Sequence, residues 1–119
     1  MTKNQELGRK GEDLAAAYLT KLGYSIIRRN YRYLKAEVDI IAQKGEVLAM
    51  VEVKSRNGAF YQNLSDTISK KKRKLIVMAA DHFVQENALD IEVRFDIITV
   101  VRTSGRYTIE HISSAFYHF

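Results

Sequence analysis

The residues best suited to chemistry in this sequence are acids and a lysine that interrupt apolar runs. In Val47-Leu48-Ala49-Met50-Val51-Glu52-Val53-Lys54, two opposite charges sit two positions apart at the end of an otherwise apolar strand. Strand side chains alternate, so Glu52 and Lys54 point to one face, beside each other. Asp39 stands between Val38 and Ile40-Ile41, and the same alternation puts Glu37 and Ile41 on its face. A hairpin between the two strands can bring Asp39 next to Glu52. Carboxylates held together repel, and a cation between them relieves the repulsion. Oxygen ligands of this kind suit Mg2+ or Mn2+, which keep several waters and bind a substrate phosphate.

A third acid, Glu12, lies on an expected helix. At about 100° per residue it projects to the margin of the apolar stripe, within about 20° of Leu19, while Lys10, Asp13 and Lys21 lie well round on the far side. Gly8 and Gly11 flank it. Glycines inside a helix cost roughly 1 kcal/mol each relative to alanine, so their presence points to close approach by a strand or a nucleic-acid backbone.

Lys70-Lys71-Lys72-Arg73-Lys74 places five cations in a row where a second helix should start. One helix cannot bury them all, and as a lone run they would read as a solvated face. Cations at a helix N-terminus oppose the macrodipole, a cost that a phosphate backbone would relieve. Arg28, Arg29, Arg32, Arg56 and Arg94 add positive charge, and the net charge is +5. Beside paired acids, this balance favours nucleic acid, with Lys70, Lys71, Lys72, Lys74, Arg56 and Arg32 as the expected phosphate contacts. Tyr31, Tyr33, Phe60 and Tyr61 can stack on unpaired bases, although packing is the commoner fate of such aromatics. The stretch from Asn57 to Asn63 follows the triplet and is placed to shape a substrate groove. Arg94 and Asp96 share a strand face and read as a structural salt bridge. No role falls to His82, His111 or His118, which lack ligand spacing.

With 119 residues and neither a linker nor a repeat, one domain is expected over 1–119. The absence of cysteine excludes disulfides, thiolate zinc sites and cysteine catalysis. No signal sequence or membrane span is expected, and the default setting is cytoplasmic. Apolar periodicity predicts a helix from Leu7 to Leu22, ended by Gly23, and strands over 24–33, 37–42 and 47–53. A second helix from near Ser65 to Ser69 until Asn87 follows, then strands over 91–101 and 107–112. The class is α/β with a mixed sheet, in the order α-β-β-β-α-β-β. The aromatic tail can pack on the core or on another subunit.

This ordered set resembles the PD-(D/E)XK nuclease superfamily and its Holliday-junction-resolvase branch. More closely it resembles the bacterial YraN-like family. The matching segments are Gly8-x-x-Gly11-Glu12-x-x-Ala15, Leu22-Gly23-Tyr24, Arg29-Asn30-Tyr31-Arg32, Glu37-Val38-Asp39-Ile40-Ile41-Ala42, Val51-Glu52-Val53-Lys54-Ser55-Arg56, Lys71 with Lys74, and Arg94-Phe95-Asp96. One departure is Val38, where the superfamily name has a proline. The resemblance implies a restriction-endonuclease-like core and Mg2+- or Mn2+-assisted hydrolysis of phosphodiester bonds in DNA, including branched or flapped structures. It implies that Asp39, Glu52 and the Val53 carbonyl hold the metal, that Glu12 completes the shell directly or through water, and that Lys54 orients or deprotonates the attacking water. Resolvases of similar fold act as symmetric dimers, so a homodimer is a further expectation. Two other readings stay open: a nucleic-acid-binding module with little turnover, and an interaction domain whose basic run docks an acidic partner.

Overall fold

The computed structural model describes residues 2–58 and 68–117. Its elements follow the expected order: α1 (Lys3–Lys21), β1 (Ser25–Tyr33), β2 (Ala36–Lys44), β3 (Val47–Asn57), α2 (Lys70–Glu86), β4 (Glu92–Thr103) and β5 (Arg106–Phe116). The strands form one mixed sheet in chain order. β3 and β4 pair in parallel and the other neighbours pair antiparallel. A parallel pair needs a long crossover, and α2 supplies it. Phe60, Tyr61, His118, Phe119 and most of the stretch after Asn57 lie outside the described residues.

The first helix starts four residues before its apolar stripe because Thr2 and Gln5 form a capping box: the Gln5 N–H donates to Thr2 Oγ1 at 3.1 Å and the Thr2 N–H to Gln5 Oε1 at 2.9 Å. It stops at Gly23, whose φ of 97° lets the Tyr24 N–H reach back to the Leu19 carbonyl at 3.0 Å. α2 starts on Ser69, whose Oγ accepts from the Lys72 N–H. The Ser104-Gly105 turn takes positive φ at both residues, which matches the twist of the β4–β5 hairpin.

The helices cover opposite faces. Ile76, Ala79, Ala80 and Phe83 of α2 pack on Val38, Ile41, Leu48, Met50, Phe95 and Ile97. Ala15 and Leu19 of α1 pack on Ile40, Ala42, Ala49, Val51, Ile98 and Val100. β3 and β4 keep the two-residue period on both faces, as befits central strands. β2 does not: Val38 and Ile41 lie under α2, while Ile40 and Ala42 lie under α1. A simple period of two therefore fails around Asp39. Asn30, which the β1–β2 register would set opposite Asp39, adopts a φ of 54°, a conformation asparagine tolerates better than most residues. Among the described residues no helix is long and apolar enough to cross a membrane.

The two helical glycines differ. A Cβ on Gly11 would lie 1.9 Å from Ser55 Oγ and 3.1 Å from Ser55 Cβ, so this glycine lets α1 lie against β3. A Cβ on Gly8 would meet nothing within 4 Å. Gly8→Ala should therefore raise stability by up to about 1 kcal/mol through helix propensity. Gly11→Ala should lower it, since overpacking of about 1–3 kcal/mol exceeds the same propensity gain. Denaturant midpoints of the two variants check this; a shift of the same sign in both would contradict it.

Candidate functional site

Asp39 and Glu52 are both buried, on adjacent strands. The β2–β3 ladder runs from Lys44–Val47 to Ile40–Val51 and stops one step short of pairing them. Past that point, Asp39 Oδ2 accepts a 2.8 Å bond from the Val53 N–H. Burial above all, and then the charge of Glu52, push the Asp39 carboxyl up to about 8, against the pull of the Val53 bond. Glu12 and Glu37 add smaller repulsions in the same direction. Without a cation, Asp39 is thus pushed toward its protonated form by burial and by the charges of Glu52, Glu12 and Glu37.

The Glu52 carboxylate is met by two ammonium groups. Lys72 Nζ lies 2.6 Å from its Oε1 and Lys54 Nζ lies 3.2 Å from the same atom. Lys54 therefore stands beside Glu52, as strand alternation required. Burial and the neighbouring Lys72 charge lower the Lys54 pKa despite the opposing pull of Glu52. For Lys72, burial works downward, but the hydrogen bond to Glu52 and the charge of Glu52 outweigh it and raise the pKa. A cavity of about 310 Å³ opens beside Asp39 and Glu52, rimmed by Lys35, Glu37, Ser69, Lys71 and Lys72.

Glu12 opens onto a separate cavity of about 510 Å³, which it shares with Gly8, Val53, Lys54, Arg56 and Asn57. Burial raises its pKa, and Arg29 at 3.8 Å and a hydrogen bond with Asn30 oppose that rise. Lys54 borders Glu12 in one cavity and touches Glu52, which lines the other. Asp39 and Glu52 are hard oxygen donors with strong mutual repulsion, so their chemistry fits a divalent cation. Among the described residues, no three Asp, Glu or His side chains are gathered closely enough to form a ligand group by themselves. Glu12 is accordingly an electrostatic neighbour of Asp39 rather than part of its immediate cluster, and it is Val53's N–H that Asp39 contacts.

The basic run divides as a helix must divide it. Lys70, Lys71 and Lys74 are exposed, Lys72 turns to Glu52, and the Arg73 guanidinium lies 5.7 Å from the Phe116 ring centre. Arg32 is exposed but paired with Glu37 at 2.8 Å, and Arg56 donates to the Ser55 carbonyl. Tyr31 and Tyr33 are packing residues: both stack on His82, and the Tyr31 hydroxyl lies 2.7 Å from His82 Nδ1. Phe116 at the end of β5 stacks on Phe95, so this part of the tail belongs to the core, while Tyr117 is exposed.

Sequence reasoning passed over His111. Asp96, fully buried under α1, accepts two bonds from Arg94 (2.8 and 2.7 Å), one from the Ser114 N–H (3.1 Å) and one from His111 Nε2 (2.8 Å). An irregularity between Phe95 and Ile97 and a φ of 53° at Ser114 turn that amide toward Asp96. An ionised carboxylate only accepts, so Nε2 carries the proton, and Nδ1 of a neutral ring accepts from the Tyr18 hydroxyl at 3.0 Å. Burial works to raise the Asp96 pKa, but the bonds from His111, Arg94 and Ser114 prevail and lower it. Arg94–Asp96 is thus the ion pair expected, extended by a histidine whose lone position in the chain gave no signal.

A mixed sheet clasped by two helices, with two buried carboxylates and two lysines at the end of its β2–β3 hairpin, defines the class: an α/β protein built around an acid–lysine cluster. The family model described as "Uncharacterised protein family UPF0102" matches residues 11–100. A UPF0102 protein of Christiangramia forsetii is 46% identical over the full length of both chains. One from Flavobacterium psychrophilum is 44% identical, again over all of both chains, and one from Phocaeicola vulgatus is 42% identical over 98% of this chain and 97% of its own. The chain belongs to the UPF0102 (YraN) family.

Proposed function

We propose that this protein is a Mg2+- or Mn2+-dependent nuclease that hydrolyses phosphodiester bonds in DNA, branched or flapped structures included. The observation that carries the reading is the Asp39–Glu52 pair: two buried carboxylates beside one cavity, with Lys54 3.2 Å from Glu52 and further lysines on the rim. A paired structural salt bridge would not need the second acid, whose burial beside Glu52 is unfavourable without a cation or a proton.

Asp39 and Glu52 would hold the ion, with the Val53 carbonyl as the third donor that the family resemblance implies and Glu12 acting through water. When bound, the ion supplies Lewis-acid stabilisation of charge on the phosphoryl oxygens. Lys54 is shielded and pinned by Glu52, with a pKa drawn downward. It can therefore orient the attacking water and take part in its deprotonation. Lys71, on the cavity rim, and the exposed Lys70 and Lys74 would hold the flanking phosphates. A homodimer would bring two such sites to the two strands of a junction.

A Mg2+ titration of cleavage on linear, flapped and four-way DNA tests the reading. Metal-dependent products that vanish with Lys54→Ala, in a variant whose circular dichroism matches the wild type, are expected. If salt-sensitive binding persists without turnover on any substrate, the binding-module reading takes its place. If neither is seen, the docking-domain reading does.

DNA affinity should fall steeply with salt. With about four phosphate contacts, the dissociation constant should rise roughly a hundredfold between about 50 and about 200 mM monovalent salt. Fluorescence anisotropy of a labelled duplex measures this, and a flat response would count against phosphate contacts.

A further inference from the structure

Lys72 and Lys54 crowd the same oxygen of Glu52, but they are held very differently. The Lys54 side chain is 15% exposed and Glu52 only 5%, whereas Lys72 is 41% exposed and yet makes the shorter contact, 2.6 Å against 3.2 Å. Lys54 is fixed by its place in β3. Lys72 reaches Glu52 along a flexible four-carbon stem from the first turn of α2, a turn that contains no acid of its own. Its position lines the cavity that Asp39 and Glu52 share, together with Lys71. Two ammonium groups and a divalent cation cannot all crowd one carboxylate oxygen, since like charges at contact distance repel strongly in a shielded site. The exposed lysine is the one able to leave.

We propose that Lys72 is a resident counter-ion of the acid pair, which occupies Glu52 in the metal-free protein and must swing off it for a divalent cation to bind. Once released, its ammonium lies at the cavity rim beside Lys71, where a DNA phosphate would receive it. Metal and nucleic acid then favour each other: a phosphate that draws Lys72 outward vacates Glu52, and an ion on Glu52 frees Lys72 for the phosphate. By linkage the coupling is the same in both directions. In the metal-free protein Glu52 stays paired with Lys72, and full metal affinity appears only with a phosphate backbone in place. This inference rests on the reading of Asp39 and Glu52 as a cation site.

Mn2+ titrations followed by the electron paramagnetic resonance of the free ion test it without reference to activity. They would use the full chain as wild type, Lys72→Gln, Lys72→Arg and Glu52→Gln, with and without a phosphorothioate duplex that resists cleavage. Lys72→Gln should bind Mn2+ about tenfold more tightly than the wild type, within the usual range of coupling between sites. Lys72→Arg, which keeps the ion pair, should stay close to the wild type. The duplex should tighten Mn2+ binding in both proteins, because the ion also meets a phosphate, but by a larger factor in the wild type than in Lys72→Gln, and an equal factor in the two would overturn the role of Lys72. Equal or weaker binding by Lys72→Gln, with binding lost in Glu52→Gln, would overturn the role of Lys72 and leave the cation site standing. No binding by any variant above the Glu52→Gln background would overturn both.

Discussion

At pH 8 the metal-free Asp39→Asn variant should unfold on the order of 10 °C above the wild type, and Mg2+ should no longer stabilise it. The reason lies in the burial of Asp39 beside Glu52, which pushes its carboxyl up to about 8 from an ordinary 3.8. Below the ordinary value the group is protonated in both states and costs nothing. Between 3.8 and about 8 the unfolded chain releases its proton while the folded chain keeps it, so stability falls as pH rises across that window. Above it the loss is complete. A shift of this size corresponds to roughly 4–6 kcal/mol, a large part of what a domain of this size has to lose. Asparagine keeps the shape and can still accept from the Val53 N–H, but it carries no charge. The wild type should instead gain about 2.7 kcal/mol from Mg2+ at a hundred times its dissociation constant, and the variant none. Thermal unfolding from pH 4 to 9, with and without Mg2+, measures both effects. A wild type whose stability is flat over that range would contradict this account of Asp39.

Asp96→Ala should have the opposite sign and a similar size, a loss of about 3–5 kcal/mol. The substitution leaves the Arg94 guanidinium, the His111 ring and the Ser114 amide without their common acceptor beneath α1. Breaking one side of a buried charge network leaves the other side uncompensated. Because the Asp96 pKa is lowered in the folded state, its contribution is present above the ordinary carboxylate range and is lost as pH falls through the folded value. The two aspartates therefore act in opposite directions along the pH axis. Asp39 weakens the metal-free fold toward pH 8, and Asp96 weakens it only in acid. Denaturant midpoints of Asp96→Ala at pH 7 measure the loss; a change below about 1 kcal/mol would remove Asp96 from its structural role.

The order of elements was legible because each carries a strong local period or stop signal. Leu7, Ala15 and Leu19 set the α1 stripe, Gly23 ends that helix, and Gly45-Glu46 and Ser104-Gly105 make the hairpin turns. The adjacency of Glu52 and Lys54 followed from alternation alone. The slip of that alternation near Asp39 did not; it falls opposite Asn30 of the partner strand, which takes a positive φ, and no single segment reveals that pairing. The early start of α1 was written in Thr2 and Gln5, polar residues that an apolar stripe does not register.

Side-chain partners were less legible than elements. Lys72 looked like one of five equivalent cations, and only the placement of α2 over the β2–β3 end singles it out for Glu52. His111 shows no ligand spacing in sequence, yet the β4–β5 pairing carries it to Asp96. Glu12 was placed correctly at the stripe margin, but α1 aims it into the cavity beside Lys54 and Arg56 rather than onto Asp39 and Glu52. Helix angle decides whether a residue can face a sheet; the tilt and height of the helix decide which residue it meets.

The central claim is that the Asp39–Glu52 pair makes a cation-dependent hydrolytic site. The most direct measurement is single-turnover cleavage of flapped and four-way DNA at saturating Mg2+ by the wild type and by Asp39→Ala purified in parallel. The account predicts cleavage by the wild type that chelation abolishes, and a rate at least about 10³-fold lower in a folded Asp39→Ala. Cleavage by Asp39→Ala at the wild-type rate would contradict it.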